Sequence, residues 1–146
     1  MQRSPWKKNL SVLFVFGIAM GVLEAVVVVY LRHIYYPAGF DFPLAAIDHL
    51  IAAEWVREIC TLVMLLSIAL LAGKRALQVF SYFIYSFAVW DISYYAGLKA
   101  FLYGPASRST LDILFLRPFI WTGPVWAPLL CSLLMILLAA LLLQRS

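Results

Sequence analysis

With 65% hydrophobic and 12% charged residues and a mean hydropathy of +0.95, this chain of 146 residues is far more apolar than a soluble domain. Soluble domains hold roughly 45–50% apolar and about 25% charged residues. The net charge of +4 does not point to nucleic acid, because the basic residues flank apolar segments and form no run.

A bilayer span needs roughly 20 predominantly apolar residues. Four stretches reach that length: 10–31, 52–72, 77–101 and 124–143. The predicted fold is all-α, a four-transmembrane-helix bundle forming one integral membrane domain over 1–146. The first stretch follows Arg3, Lys7 and Lys8, the outline of a signal peptide. It is longer than an h-region, carries Glu24 and lacks a small-x-small cleavage site, so it reads as an uncleaved helix. Gly17 and Gly21 share a helical face with Glu24; a Gly-x-x-x-Gly pair permits close backbone approach and points Glu24 at a neighbouring helix. The loop at 35–43 mixes turn formers with aromatics and is expected along the membrane interface.

On the second helix, Glu54, Arg57, Glu58 and Thr61 recur at spacings that place them in one narrow stripe. Gly73-Lys74-Arg75 makes a tight connection, glycine suiting a helix C-cap and the cations the carbonyl end. The second and third helices should therefore be antiparallel neighbours. The third carries Trp90, Asp91, Tyr94 and Tyr95, with Lys99 two turns beyond Asp91. Between the third and fourth spans, 104–123 predicts an interfacial loop. There Ser109-Thr110-Leu111-Asp112 resembles a helix N-cap and predicts a short helix over 111–116. Gly123-Pro124 is expected to open the fourth span, with proline at the first helical position and Pro128 as a kink one turn on. Cys60 and Cys131 have similar depth, which permits a pair, though two small packing residues are the simpler reading.

The charges are sided. Both termini and the 73–75 turn share one side, which holds Arg3, Lys7, Lys8, Lys74, Arg75 and Arg145 and no acid. The other side holds all seven acids, Glu24, Asp41, Asp48, Glu54, Glu58, Asp91 and Asp112, together with Arg32, Arg57, Lys99, Arg108 and Arg117. Lys and Arg in short loops mark the cytoplasm. The expected setting is a membrane crossed several times, with both termini cytoplasmic.

Ionisable groups inside apolar spans define the candidate site. A central Asp, Lys or Arg costs roughly 2.5 to 3.5 kcal/mol to insert, so Glu24 and Asp91 require partners or water. The expected pocket lies in the outer half of the bundle and comprises Glu24, Glu54, Arg57, Glu58, Asp91, Tyr95 and Lys99. Its four carboxylates and two cations leave a formal charge of −2. The cluster reads as a structural ion-pair network, as a site for a ligand, ion or proton, or as catalytic machinery. His33 and His49 fall at helix ends, Glu54-x-x-x-Glu58 lacks the Glu-x-x-His pairs of di-iron bundles, and no GxSxG, HExxH or P-loop occurs. No metal and no cofactor are expected.

Four segments resemble, together, a group of small four-helix bacterial membrane proteins to which no activity attaches. They are Glu54-x-x-Arg57-Glu58, Trp90-Asp91-x-x-Tyr94-Tyr95-x-x-x-Lys99, Asp112-x-Leu114-Phe115-Leu116-x-Pro118 and Trp121-x-Gly123-Pro124-Val125. The resemblance implies a four-helix fold and a bacterial inner (plasma) membrane setting. The leading functional expectation is an integral membrane subunit or binding protein, its partners being the lipid bilayer, other membrane subunits or further copies of itself. Two alternatives stand beside it. One is a proton- or cation-coupled small-solute carrier, exchanging a proton at Glu24 or Asp91. The other is a membrane enzyme acting on a lipid or isoprenoid headgroup, with Glu54 or Asp91 as general base. The almost purely apolar inner halves of the helices weigh against the carrier.

Overall fold

The structure is a computed structural model that describes residues 5–35, 51–102, 111–115 and 121–145. Four helices dominate: α1 (Pro5–Tyr35), α2 (Ile51–Ala72), α3 (Ala76–Leu102) and α4 (Trp126–Arg145). At 1.5 Å per residue they run from about 30 Å for α4 to about 46 Å for α1, against a hydrocarbon core of about 30 Å. Three of them, α1, α2 and α4, are both long and apolar enough to cross a membrane.

The third helix, α3, is long enough as well, but it carries more polar residues, and its position explains why. It packs against each of the other three helices, most extensively against α1 and least against α2. Ser81, Ser86, Asp91, Tyr95 and Gly97 are among its buried residues. A helix surrounded by protein has little need of a lipid-compatible surface, and serine hydroxyls can bond back to their own helix. Ser81 donates to the Leu77 carbonyl at 2.7 Å and Ser86 to that of Tyr82 at 2.9 Å. The outer helices instead show rows of exposed leucine and valine, such as Val63 and Leu70 on α2 and Leu133 and Leu137 on α4.

Small residues set the α1–α3 seam. A Cβ on Gly21 would lie 2.4 Å from the Trp90 carbonyl oxygen and 2.7 Å from the Ser93 Cβ. One on Gly17 would lie 2.8 Å from Val89 Cγ1, and one on Gly97 would lie 2.7 Å from the Ala25 Cβ. The expected close approach at Gly17 and Gly21 is thus present, with α3 as the partner and Ala25 and Gly97 extending it by a turn.

The connection between α2 and α3 is as tight as the sequence suggests. The Gly73 amide closes α2 by donating to the Ala69 carbonyl at 2.9 Å, and the Val79 amide opens α3 by donating to that of Arg75 at 2.9 Å. Gly73 is not in a left-handed conformation. It is required because a Cβ there would meet the Val79 amide nitrogen at 2.7 Å.

The expectation for 111–116 is corrected. Leu111–Phe115 is a β-strand (β1), paired antiparallel with Trp121–Pro124 (β2), with an irregularity between Ile113 and Phe115. A helix this short fixes many dihedrals for few hydrogen bonds, whereas a hairpin pairs both of its backbones, and β-branched Ile113 and aromatic Phe115 suit a strand. Pro124 consequently ends β2 and is not the first residue of the fourth helix, which begins at Trp126. Pro128 lies in the first turn of α4, where its missing N–H has no intrahelical acceptor to lose, so the expected kink has no cause. Residues 36–43 of the expected interfacial loop, most of 104–123 and His49 fall outside the described residues, and Tyr35 ends α1.

Candidate functional site

Among the described residues, one set of polar contacts joins α1 to α2 and another joins α3 to α4. The first is centred on Arg57. Its Nη1 meets Glu24 Oε2 from α1. Its Nη2 and Nε both donate to Glu54 Oε2, one turn earlier on α2, at 2.6 and 3.0 Å. Glu24 also accepts a hydrogen bond at Oε1 from the Thr61 hydroxyl, 2.6 Å away. Glu58 lies within electrostatic range of both Glu54 and Arg57, and Tyr94 of α3 within that of Arg57. The helical stripe on α2 therefore faces α1 along Arg57 and Thr61, and Glu24 is the α1 side chain that reaches it.

A second polar contact holds the other end of the same helix pair. Asn9 Nδ2 donates to the Ala72 carbonyl at 2.9 Å, capping one of the carbonyls that the end of α2 leaves unsatisfied. Fifteen residues separate Asn9 from Glu24 on α1, and fifteen separate Arg57 from Ala72 on α2. The two helices are thus matched antiparallel over about 22 Å. Their main packing is onto α3, not onto each other. Long side chains bridge α1 and α2 at both ends of that span.

The second set is a single contact. Asp91 is buried and accepts a hydrogen bond from Ser132 of α4 at 2.7 Å. Sequence reasoning misses Ser132, although it carries the only hydroxyl in α4. That isolation is the available signal, since a lone hydroxyl among leucines has few reasons to be buried.

Each residue of the expected pocket has a definite place. Glu24, Glu54 and Arg57 are in contact, and Glu58 is near them. Asp91 shares the interior but turns to α4. Tyr95 is buried in an apolar cluster with Ala25, Leu98 and Val125; its neighbour Tyr94 lies within electrostatic range of Arg57. Tyr94 also stacks on Trp90, which meets Phe87 edge-on, giving α3 an aromatic ladder beside the charges. Lys99 is exposed in the last turn of α3, where a cation interacts favourably with the helix carbonyl end. Cys60 and Cys131 are both exposed and unbridged, so neither packs inward. His33 is exposed, and no group of three metal-binding side chains occurs among the described residues.

Burial grades the Arg57 network. The Glu24 side chain is 10% exposed, that of Glu54 20% and that of Arg57 28%. Glu24 is thus enclosed, while the α2 half of the network remains partly open at the bundle surface. Two carboxylates, Glu24 and Glu54, share the one guanidinium there, and Glu58 lies within electrostatic range of it. No family model matches the chain, and neither does any curated protein or solved structure.

Proposed function

We propose that this chain is a four-span bacterial inner-membrane protein, with both termini in the cytoplasm, that works as a binding subunit. It belongs with the small four-helix bacterial membrane proteins that it resembles, and its acidic stripe on the outer half of α2 receives a cationic group from a partner. The orientation rests on the cation-only side formed by the termini and the 73–75 turn.

The observation that carries the reading is the partial exposure of Glu54 and Arg57 on α2, the helix with the smallest interface to α3. A network built only to hold the bundle would be enclosed by it. Ionised groups at a lipid-facing surface are expensive, so a part-open stripe of charged side chains is best accounted for by a polar partner that covers it. Any catalytic reading would need a reacting group aligned with a base, and no such alignment occurs among the described contacts.

The test is affinity purification of the full chain in mild detergent, with co-purifying proteins and solutes identified by mass spectrometry. The wild type is compared with an E54Q/E58Q double variant. Both positions are half-buried, so the variant should melt close to wild type, as weakly coupled surface pairs do. The expected outcome is a defined partner recovered with the wild type and lost from the variant. Recovery of the same partner by both, or a wild-type chain that purifies alone, overturns the proposal.

A further inference from the structure

At the opposite end of the bundle, an open groove of about 520 Å³ runs between α2 and α3, beside the turn that joins them. Its apolar walls are Leu66 and Leu70 on α2 and Phe80 and Phe83 on α3, and its mouth holds Lys74 and Arg75. We propose that this groove holds one anionic phospholipid of the leaflet that meets this end, its phosphate at Lys74 and Arg75 and an acyl chain between the two helices. The proposal rests on the membrane setting but not on the acidic cluster.

Three features agree on this occupant. The first is charge: Lys74 and Arg75 are adjacent, both are exposed, and both line the groove. Basic pockets between membrane helices recognise anionic headgroups, and juxtamembrane cations attract them. The second is length. From Arg75 to Phe83 the groove extends about 12 Å along α3, close to the roughly 15 Å of hydrocarbon in one leaflet. A soluble anion would use only the mouth, and a second protein helix would not require cations there. The third is the way the turn is built. The Lys74 amide is held by the Gln78 side chain at 3.1 Å, and the Arg75 carbonyl by the Val79 amide. The backbone that presents the two cations is therefore fixed, while their side chains project at the groove's mouth. Leu66, Leu70 and Phe80 are exposed, leaving apolar surface for the lipid chain to cover.

The full chain is purified in detergent, and lipid binding is followed by native mass spectrometry during titration with dioleoyl phosphatidylglycerol. Dioleoyl phosphatidylcholine and inorganic phosphate serve as the comparison ligands. One phosphatidylglycerol should bind in preference to phosphatidylcholine, and phosphate alone should not displace it. A K74Q/R75Q variant should bind about 30-fold more weakly, roughly fivefold per basic residue. A K7Q/K8Q variant, with the same loss of charge on α1 outside the groove, should change binding less than about threefold. Leu70→Trp, which fills the groove without removing charge, should weaken binding while melting as the wild type does. Equal losses in the two charge variants, equal binding of phosphatidylcholine, or an undiminished Leu70→Trp protein would each overturn the proposal. A chain released from membranes by carbonate would overturn the membrane setting itself, a separate failure from loss of selectivity.

Discussion

Replacing Arg57 by alanine tests whether the guanidinium is the support of the charged network. In the wild type, Glu24 is held on one oxygen by Arg57 and on the other by Thr61 at 2.6 Å. Arg57→Ala leaves Glu24 almost enclosed with the Thr61 bond alone. Removing one partner of a fully buried pair costs about 3–5 kcal/mol. Arg57 is 28% exposed, so water or headgroups reach the site, and a cost of about 2–3 kcal/mol is expected. That corresponds to a factor of roughly 30 to 150 in the folding equilibrium. Glu54→Gln breaks a more exposed contact one turn apart on the same helix and should cost about 0.5 kcal/mol. The decisive variant combines Arg57→Ala with Glu24→Gln. Since most of the penalty comes from an uncompensated buried charge, neutralising Glu24 should recover at least half of it. The measurement is unfolding of the purified chain in mixed micelles, followed by circular dichroism across a denaturing-detergent titration. An Arg57→Ala cost below about 1 kcal/mol, or a double variant whose loss equals the sum of the two singles, would refute the account.

Gly21→Ala should destabilise the fold by about 1–3 kcal/mol despite alanine's better helix propensity, because the new Cβ would press on the Trp90 carbonyl; the same titration measures it. Asp91→Asn keeps an acceptor for Ser132 and should cost less than about 1 kcal/mol, whereas Ser132→Ala strips the carboxylate of its 2.7 Å donor and should cost about 1–3 kcal/mol. The reverse ranking in thermal melts would show that the charge of Asp91, and not its hydrogen bond, is what the fold uses. For topology, cysteines introduced at Ala38 or Ser107 should react with an impermeant maleimide in intact cells, while tags at either terminus stay protected. The opposite pattern reverses the orientation.

The four helices are legible in the sequence because apolar runs of about 20 residues leave few other solutions, and the observed elements begin and end within a few residues of the expected spans. The Glu24–Arg57 contact is also within reach. Gly17 and Gly21 select the face of α1 that packs closely, and Glu24 lies on it; three- and four-residue spacing selects the stripe on α2. What one helix cannot announce is which neighbour its polar face will meet. Spacing alone groups Asp91 with the α1–α2 charges, but its position on α3 points it at α4 and Ser132. Lys99 shares a helix with Asp91 and so joins the same expected cluster, yet it sits in the last turn, where it is exposed. The 111–116 segment misleads for another reason. Its cap-like residues are local, and the β2 partner that decides against a helix begins at Trp121, beyond the reach of any local pattern.

The arrangement of contacts gives α2 a particular standing in the bundle. The α1–α3 seam is made by Gly17, Gly21, Ala25 and Gly97, where each methyl added to a glycine would collide with backbone or side-chain atoms, so those two helices have little freedom to shift. Packing between α2 and α3 is less extensive, and α2 is tied to α1 by Asn9 at one end and by Glu24 at the other. Packing contacts fade gradually with displacement, but a charged hydrogen bond is lost within about an ångström. The position of the Arg57 end of α2 is therefore set largely by whether Glu24 holds Arg57. A partner cation drawn to Glu54 and Glu58 would act on that same guanidinium, which places binding at the surface and the packing of α2 under one electrostatic control. The Thr61 hydroxyl, which reaches Glu24 from one turn deeper than Arg57, is the contact that would keep the helix registered if Arg57 turned outward.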